Sequence, residues 1–188
     1  MSALTPFNTV GPFFKLLVRN RPEGTDCLVS DATVGDRITI KGTLIDGKRQ
    51  PVDDGLVEIW QADARGYYRH PHDPHHALAD PAFTGFGRAA TASGGIFSFR
   101  TIKPGAVNDS DGPAQAPHVL VSVMARGVMS RCWTRLYFER EPLNATDPVL
   151  ALVPADRRDT LIARCTNPGE FEFNIVLQGA NETVFFEA

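Results

Sequence analysis

The chain has 188 residues, of which 43% are hydrophobic and 22% are charged, with a formal net charge of -3 and a pI near 5.9. This length and apolar fraction predict one globular domain that buries its own core. Its balance of charge argues against nucleic acid as a partner, because binding a polyanion needs a broad basic field. No apolar run approaches the roughly 20 residues that span a bilayer, so we expect no membrane insertion.

Three cysteines, Cys27, Cys132 and Cys165, are spread along the chain and form no C-x-x-C pair. An odd number of widely spaced cysteines does not fit the disulfide framework of a small secreted protein. The first residues, MSALTPFNTVGPFF, also lack the basic segment and long apolar stretch of a secretory leader. We therefore expect reduced thiols in a cytoplasmic protein.

The N-terminal part of the chain contains several prolines and glycines and shows little hydrophobic periodicity. Such a composition is typical of an extended arm rather than of a packed element. We expect residues 1–35 to form an arm and loop that lie against another surface, and residues 36–188 to form the folded domain.

From Ile38 onward, short segments rich in β-branched and aromatic residues alternate with turn residues. These segments are ITIKGTLI, LVEIWQA, IFSFRTI, HVLVSVMA, TRLYF, FEFNIVLQG and TVFF. Gly, Pro, Asp or Asn separates them, as expected for strands joined by turns. The sequence therefore predicts an all-β fold, a β-sandwich of mostly antiparallel strands.

One segment near the C-terminus favours a helix instead. In DRRDTLIAR, after Pro154, Asp156 is a suitable N-cap and Leu161 and Ile162 fall on one helical face. The sequence therefore predicts one short C-terminal helix in an otherwise β fold.

The segment HPHDPHH places His70, His72, His75 and His76 around Asp73. Imidazole and carboxylate are good metal ligands, which makes a zinc site an obvious hypothesis. Two prolines interrupt the segment, so it offers no helical i, i+4 pair, and its spacing matches no established zinc pattern. We interpret it as a solvated loop, with metal binding as the alternative.

Other segments carry a more specific signal because they are spread over most of the chain. They are VEIWQADARGYYRH, FGRAAT, FRTIKPGAV, APHVLVSV, TRLYF and ETVFF. Together they resemble the intradiol ring-cleaving dioxygenases, from about Ile38 to the C-terminus. The resemblance implies a β-sandwich, and it implies a family in which ferric iron binds a catechol whose ring is then opened by O2.

Catalytic members of that family hold the iron with two tyrosinates and two histidines, in the motifs G-x-Y-R, P-G-x-Y and R-P-x-H-I-H. Tyr68 and His118 match one ligand of each kind, whereas Val107 and Leu120 stand where the other two belong. Gln115 also replaces the arginine of the third motif. Because two ligands should not retain ferric iron, the resemblance implies that this chain binds no metal.

The loss of ligands is what the resemblance implies for one kind of member, the iron-free α chain of heteromeric enzymes that cleave the aromatic acid protocatechuate. The segments NTVGPFF, NDSDGPAQAPH, MARG and RRDTLIARC match that chain. The implied partner is a β subunit that carries the Fe(III), and the arm of the α chain walls its substrate pocket.

Four residues match the positions of such an α chain that face the substrate. They are Thr9, Gly11, Pro12 and Arg126. A guanidinium at the last position can stabilise a substrate carboxylate where the partner excludes water. Arg131 and Arg135 lie nearby in sequence and compete for this role.

Two other hypotheses stay open from the sequence alone. A sandwich without its metal can be a stand-alone binding module for an aromatic acid, with the arm and Arg126 as its site. The histidine loop can also support an independent metalloenzyme, although little else in the sequence favours this.

Overall fold

The structure is a computed structural model that describes residues 9–11, 13, 25–108, 112–129 and 132–186. These residues form nine strands joined by loops and short 3-10 turns. The strands are β1 (Arg37–Ile45), β2 (Leu56–Gln61), β3 (Phe86–Ala90), β4 (Ile96–Ile102), β5 (His118–Met124), β6 (Cys132–Phe138), β7 (Ile162–Asn167), β8 (Glu170–Glu172) and β9 (Ile175–Val176). The predicted all-β fold is confirmed.

Eight strands follow one another in a single hydrogen-bonded path, in the order β3, β2, β5, β6, β7, β8, β1, β4, and β9 pairs with β1. Most neighbours are antiparallel, and the parallel pairs are β1 with β8, β1 with β9 and β6 with β7. Strand β7 links the two halves of the path, because Ile162 and Ala163 pair with β6 while Arg164 and Cys165 pair with β8.

The main core contains side chains from both halves of this path. Ile40 and Phe99, on β1 and β4, belong to the same buried cluster as Val121 and Leu136, on β5 and β6. All four side chains are at most 2% exposed. Removing such apolar surface from water is the main force that stabilises a sandwich of this kind.

A smaller apolar cluster lies beside the main core. Its buried members are Ala116, Tyr137, Leu150, Val153 and Leu161. They come from the segment before β5, from β6 and from the 3-10 turns that precede β7. This cluster supports the polar groups around His118 described below.

The predicted C-terminal helix is wrong in type and length. Residues Arg158–Leu161 form a single 3-10 turn, and its N-cap is Arg157, without a side-chain cap from Asp156. Ile162 already belongs to β7, where it pairs with Tyr137 of β6. Pairing with a strand distant in sequence therefore overrides the local helical pattern, although Leu161 is fully buried as expected.

The C-terminal strand segments are shorter than the sequence pattern indicates. FEFNIVLQG contains two short strands, β8 and β9, rather than one. In TVFF, Phe186 makes an isolated bridge with Trp133 instead of forming a strand. Strand β3, which the alternation did not predict, pairs with β2 along its whole length.

Candidate functional site

Tyr68 lies in the loop between β2 and β3, where a close backbone contact fixes the chain. Gly66 has a φ of +87°, and a Cβ atom there would lie 1.9 Å from the carbonyl oxygen of Ala106. A side chain at position 66 would therefore clash with the segment that leads to Val107. Glycine allows the loop to pack directly on that segment.

Buried and half-buried carboxylates hold the same loop in shape. Asp63, 2% exposed, accepts hydrogen bonds from the backbone nitrogens of Tyr67 at 3.1 Å and Asp80 at 2.8 Å. Asp73 accepts one from the backbone nitrogen of Tyr68 at 2.8 Å. Because both ends of the loop are bonded to these side chains, the Tyr68 phenol has a defined position.

The other three ligand positions lie on or beside β5. Val107 and Gln115 exchange two backbone hydrogen bonds, at 3.1 and 2.8 Å, which place the Val107 segment next to the start of that strand. His118 and Leu120 follow on β5 itself, and Leu120 pairs with Arg135 of β6. The fold thus brings Tyr68 and His118 into contact and places both apolar replacements in the same part of the sandwich.

Tyr68 and His118 bind each other. His118 Nδ1 lies 2.7 Å from the carbonyl oxygen of Ala116, and since a carbonyl can only accept, Nδ1 carries the proton. Nε2 is then the acceptor for the Tyr68 hydroxyl at 3.4 Å. Burial, helped by the Arg135 cation, lowers the pKa of His118 to about 4. Burial also raises the pKa of Tyr68 to about 12, so both groups are neutral at pH 7.

Arg135 supplies the positive charge in this region. Its Nη1 donates to Gln115 Oε1 at 2.8 Å and lies 3.5 Å from Tyr137 Oη. The Tyr137 hydroxyl donates to Asp147 Oδ1 at 3.0 Å. Asp147 is completely buried, and its other oxygen accepts a hydrogen bond from the backbone nitrogen of Ala116 at 2.8 Å.

We call Tyr68, Gln115, His118, Arg135, Tyr137 and Asp147 the closed cluster. Each of these six side chains is hydrogen-bonded to another protein group. The polar groups therefore satisfy one another, and the arrangement needs no ligand to be stable.

A different arrangement surrounds Arg126, in the turn after β5. Thr9 of the arm lies across this turn: its Oγ1 accepts a hydrogen bond from the backbone nitrogen of Gly127 at 2.8 Å and is 3.4 Å from the carbonyl oxygen of Ala125. Arg126 Nε donates to Asp54 Oδ2, while the Arg126 side chain is 63% exposed. We call Thr9, Asp54, Ala125, Arg126 and Gly127 the Arg126 surface.

A cavity of about 540 Å³ opens beside Arg126, and its lining includes three aspartates, Asp46, Asp53 and Asp54, together with Ala125, Gly127 and Val128. An exposed guanidinium at such a cavity is suited to bind a small carboxylate. Gly11 is exposed, whereas Pro12 and Arg131 lie outside the described residues. Arg135 belongs to the closed cluster, so its guanidinium is engaged by Gln115.

Comparison with known proteins identifies the family. The dioxygenase family model Dioxygenase_C matches residues 10–179. The chain belongs to the intradiol dioxygenases. The predicted family is therefore confirmed over nearly the whole chain.

Three relatives illustrate the similarity. The chain is 38% identical to the protocatechuate 3,4-dioxygenase alpha chain of Pseudomonas putida, with 97% of this chain and 96% of the relative covered. It is 41% identical to the beta chain of the same enzyme from Burkholderia cepacia, with 80% and 68% covered. The solved dioxygenase domain of a carbohydrate-binding fusion protein from Streptomyces sp. SirexAA-E matches with a TM-score of 0.62 and 29% identity, with 93% and 97% covered.

The residues of this chain do not fit the ferric ion that the family resemblance implies. The side chains of Val107 and Leu120 carry no donor atom, so only Tyr68 and His118 remain of the four implied ligands. The Tyr68 hydroxyl is already bonded to His118. The Arg135 cation is close enough to lower the pKa of His118, and a nearby positive charge opposes binding of a second cation.

The histidine loop folds as a surface turn that includes the 3-10 segment His76–Leu78. Within it His70 and His72 stack edge to face, and His75 lies 3.9 Å from Asp73. Among the described residues, no group of three or more His, Cys, Asp or Glu side chains is arranged to hold a metal ion. Within the same residues, no helix is long and apolar enough to cross a membrane.

Four polar side chains of these two regions, Asp54, Arg135, Tyr137 and Asp147, were not predicted to act there. Asp54 and Asp147 come from loops, and Arg135 was considered only as a competitor for Arg126. The alternation in TRLYF does place Arg135 and Tyr137 on one face of β6. The pairing of β6 with β5, which brings that face to His118, is not readable from the sequence.

Proposed function

We propose that this chain is the iron-free α subunit of a protocatechuate 3,4-dioxygenase. In this proposal it completes the substrate pocket of an Fe(III)-bearing β subunit, which cleaves protocatechuate with O2 to 3-carboxy-cis,cis-muconate. The support is the 38% identity to an alpha chain over 97% of this chain, together with its similarity to a beta chain. The reaction belongs to the catabolism of aromatic acids, in the β-ketoadipate pathway of the cytoplasm.

The observation that carries the proposal is the closed cluster. Two of the four ligand positions are apolar, and the two that remain, Tyr68 and His118, are hydrogen-bonded to each other. A chain with such a cluster cannot bind the catechol through its own iron. We therefore assign the iron and the chemical step to the partner, and assign substrate contacts to this chain.

Those contacts come from the Arg126 surface and the arm. We propose that residues 1–35 contact the β subunit, and that Thr9, Gly11 and Pro12 form part of the pocket wall. Arg126 then binds the protocatechuate carboxylate, because a guanidinium forms charge-assisted hydrogen bonds with that group. Such bonds strengthen when the partner subunit removes water from the site.

Replacement of Arg126 tests this assignment. In the complex with β, Arg126→Ala should reduce kcat/KM for protocatechuate by roughly 10- to 150-fold, as expected for loss of about 1.5 to 3 kcal/mol of charge-assisted hydrogen bonding. Catechol has no carboxylate, so its kcat/KM should change little. Arg164→Ala is the matched control, because Arg164 is also an exposed, ion-paired arginine, 53% exposed.

Iron analysis tests the assignment of the metal. The isolated chain, expressed with added iron, should be colourless and should hold no stoichiometric ferric ion. The complex with β should show the visible absorption of tyrosinate bound to Fe(III). A coloured isolated chain with one iron would refute the proposal.

A stand-alone binding module for an aromatic acid is the second candidate, because the cavity beside Arg126 is formed by this chain itself. Calorimetric titration of the isolated chain with protocatechuate separates the two. Tight binding without β would favour the module, whereas binding only in the complex would favour the α subunit.

A further inference from the structure

Asp54 holds one edge of the Arg126 guanidinium. Its Oδ2 accepts the hydrogen bond from Arg126 Nε, although the two residues are 72 positions apart in sequence. The Asp54 side chain is 13% exposed and that of Arg126 is 63% exposed. One partner of this ion pair is thus enclosed by the protein, and the other extends into solvent.

The backbone next to Asp54 is firmly held. Gly55 N donates to Thr91 Oγ1 at 2.8 Å, and Thr91 N donates to the Gly55 carbonyl oxygen at 2.9 Å. Thr91 is 1% exposed. Asp54 therefore offers a fixed acceptor, whereas a free arginine side chain samples many rotamers.

We propose that Asp54 is a positioning residue that prepares Arg126 for a substrate carboxylate. A guanidinium has five N–H donors in one plane. Because Asp54 binds the Nε group, the two Nη groups stay available for the two oxygens of an incoming carboxylate. The inference rests on the proposed function, and it adds the residue that orients the arginine.

Asp54 has two opposite effects on an anionic substrate. Its own charge repels a carboxylate, but that charge is paired with the Arg126 guanidinium, so the expected change in affinity is only about twofold to fivefold. Ordering an arginine side chain before binding removes an entropy cost and can raise affinity by up to roughly thirtyfold. The ordering effect should prevail.

The test uses the complex with β and compares kcat/KM for protocatechuate and catechol. Asp54→Asn keeps the size of the side chain and removes its charge, and should lower kcat/KM for protocatechuate roughly threefold to thirtyfold, mainly through KM. Catechol turnover should not change.

Two further variants make the test specific. Asp159→Asn removes another aspartate that pairs with an exposed arginine, Arg164, and should leave both substrates unaffected. In an Arg126→Ala background, Asp54→Asn should not lower kcat/KM for protocatechuate any further, because the loss in the single variant arises through Arg126.

The outcomes distinguish failure of the positioning role of Asp54 from failure of the proposed function. If Arg126→Ala lowers kcat/KM for protocatechuate but Asp54→Asn does not, the positioning role is wrong and the proposed function stands. An equal loss for both substrates, or faster protocatechuate turnover in Asp54→Asn, would also overturn the positioning role. If Arg126→Ala itself has no effect, the substrate contact assigned to Arg126 fails, and the role of Asp54 fails with it.

Discussion

Two polar regions of this sandwich differ in what their hydrogen-bonding groups are bonded to. In the closed cluster, Tyr68 and His118 are bonded to each other, and Arg135 is bonded to Gln115. On the Arg126 surface, the arginine makes an ion pair on one edge yet is 63% exposed. Groups that satisfy one another stabilise the fold, whereas groups that extend into solvent can bind a ligand.

Under the proposed function, this contrast explains how the chain keeps the family fold without a ferric ion of its own. Val107 and Leu120 stand where the resemblance places two of the four iron ligands, and the hydrogen bond between Tyr68 and His118 links the loop to β5. The closed cluster should therefore matter for stability, and the Arg126 surface for substrate kinetics. The following predictions test that division.

The largest effect on stability is expected at Asp147, a buried member of the closed cluster. This buried carboxylate accepts hydrogen bonds from Tyr137 Oη and from the backbone nitrogens of Ala116, Val149 and Leu150, at 2.7 to 3.0 Å. Asp147→Ala leaves these donors without their acceptor, so it should lower the free energy of unfolding by about 3 to 5 kcal/mol. Urea unfolding measures the loss.

Asp159→Ala is the control for this measurement, because the Asp159 side chain is 81% exposed. It should change the free energy of unfolding by less than about 0.5 kcal/mol. A similarly small change for Asp147→Ala would show that the closed cluster does not stabilise the fold.

His118 should make the closed cluster sensitive to acid. Its pKa falls from 6.5 to about 4 in the folded chain because of burial and the Arg135 cation. The unfolded chain therefore binds more protons below about pH 6.5, and stability is lost as pH falls from there to about 4. The total contribution is about 3 kcal/mol.

Urea unfolding between about pH 7 and pH 4.5 measures this contribution. His118→Gln should lose less stability over that range than the wild type, because glutamine does not titrate. Arg135→Met should raise the pKa of His118 and reduce the acid sensitivity in part. Parallel pH profiles for the wild type and His118→Gln would contradict the prediction.

The fold was predictable where side-chain alternation matched burial. In β1, Ile38, Ile40 and Leu44 point into the core at even spacing, and this period of two is visible in the sequence. Alternation failed at β7, whose Ile162 and Ala163 are held by parallel pairing with β6. Such pairing depends on a distant strand, and a short sequence window contains no signal for it.

The candidate site was predictable only where a motif fixed the position. Val107 and Leu120 could be placed because flanking residues match the family, and the contact between Tyr68 and His118 agrees with that match. The role of Arg135 depends on how β6 pairs with β5. The Asp54 contact joins residues 72 positions apart, so neither could be inferred from local sequence.

The smallest effect is expected at Thr9, which attaches the arm to the Arg126 surface. Its Oγ1 accepts a hydrogen bond from Gly127 N at 2.8 Å and donates a longer one to the Ala125 carbonyl oxygen at 3.4 Å. Thr9→Val keeps the shape of the side chain and removes both, at a cost of about 1 kcal/mol. In the complex with β, KM for protocatechuate should rise about fivefold while the iron content stays unchanged. Thr9→Ser retains the hydroxyl and should restore most of the loss. If Thr9→Val binds substrate as the wild type does, the arm is held by other contacts, and the Arg126 surface does not depend on it.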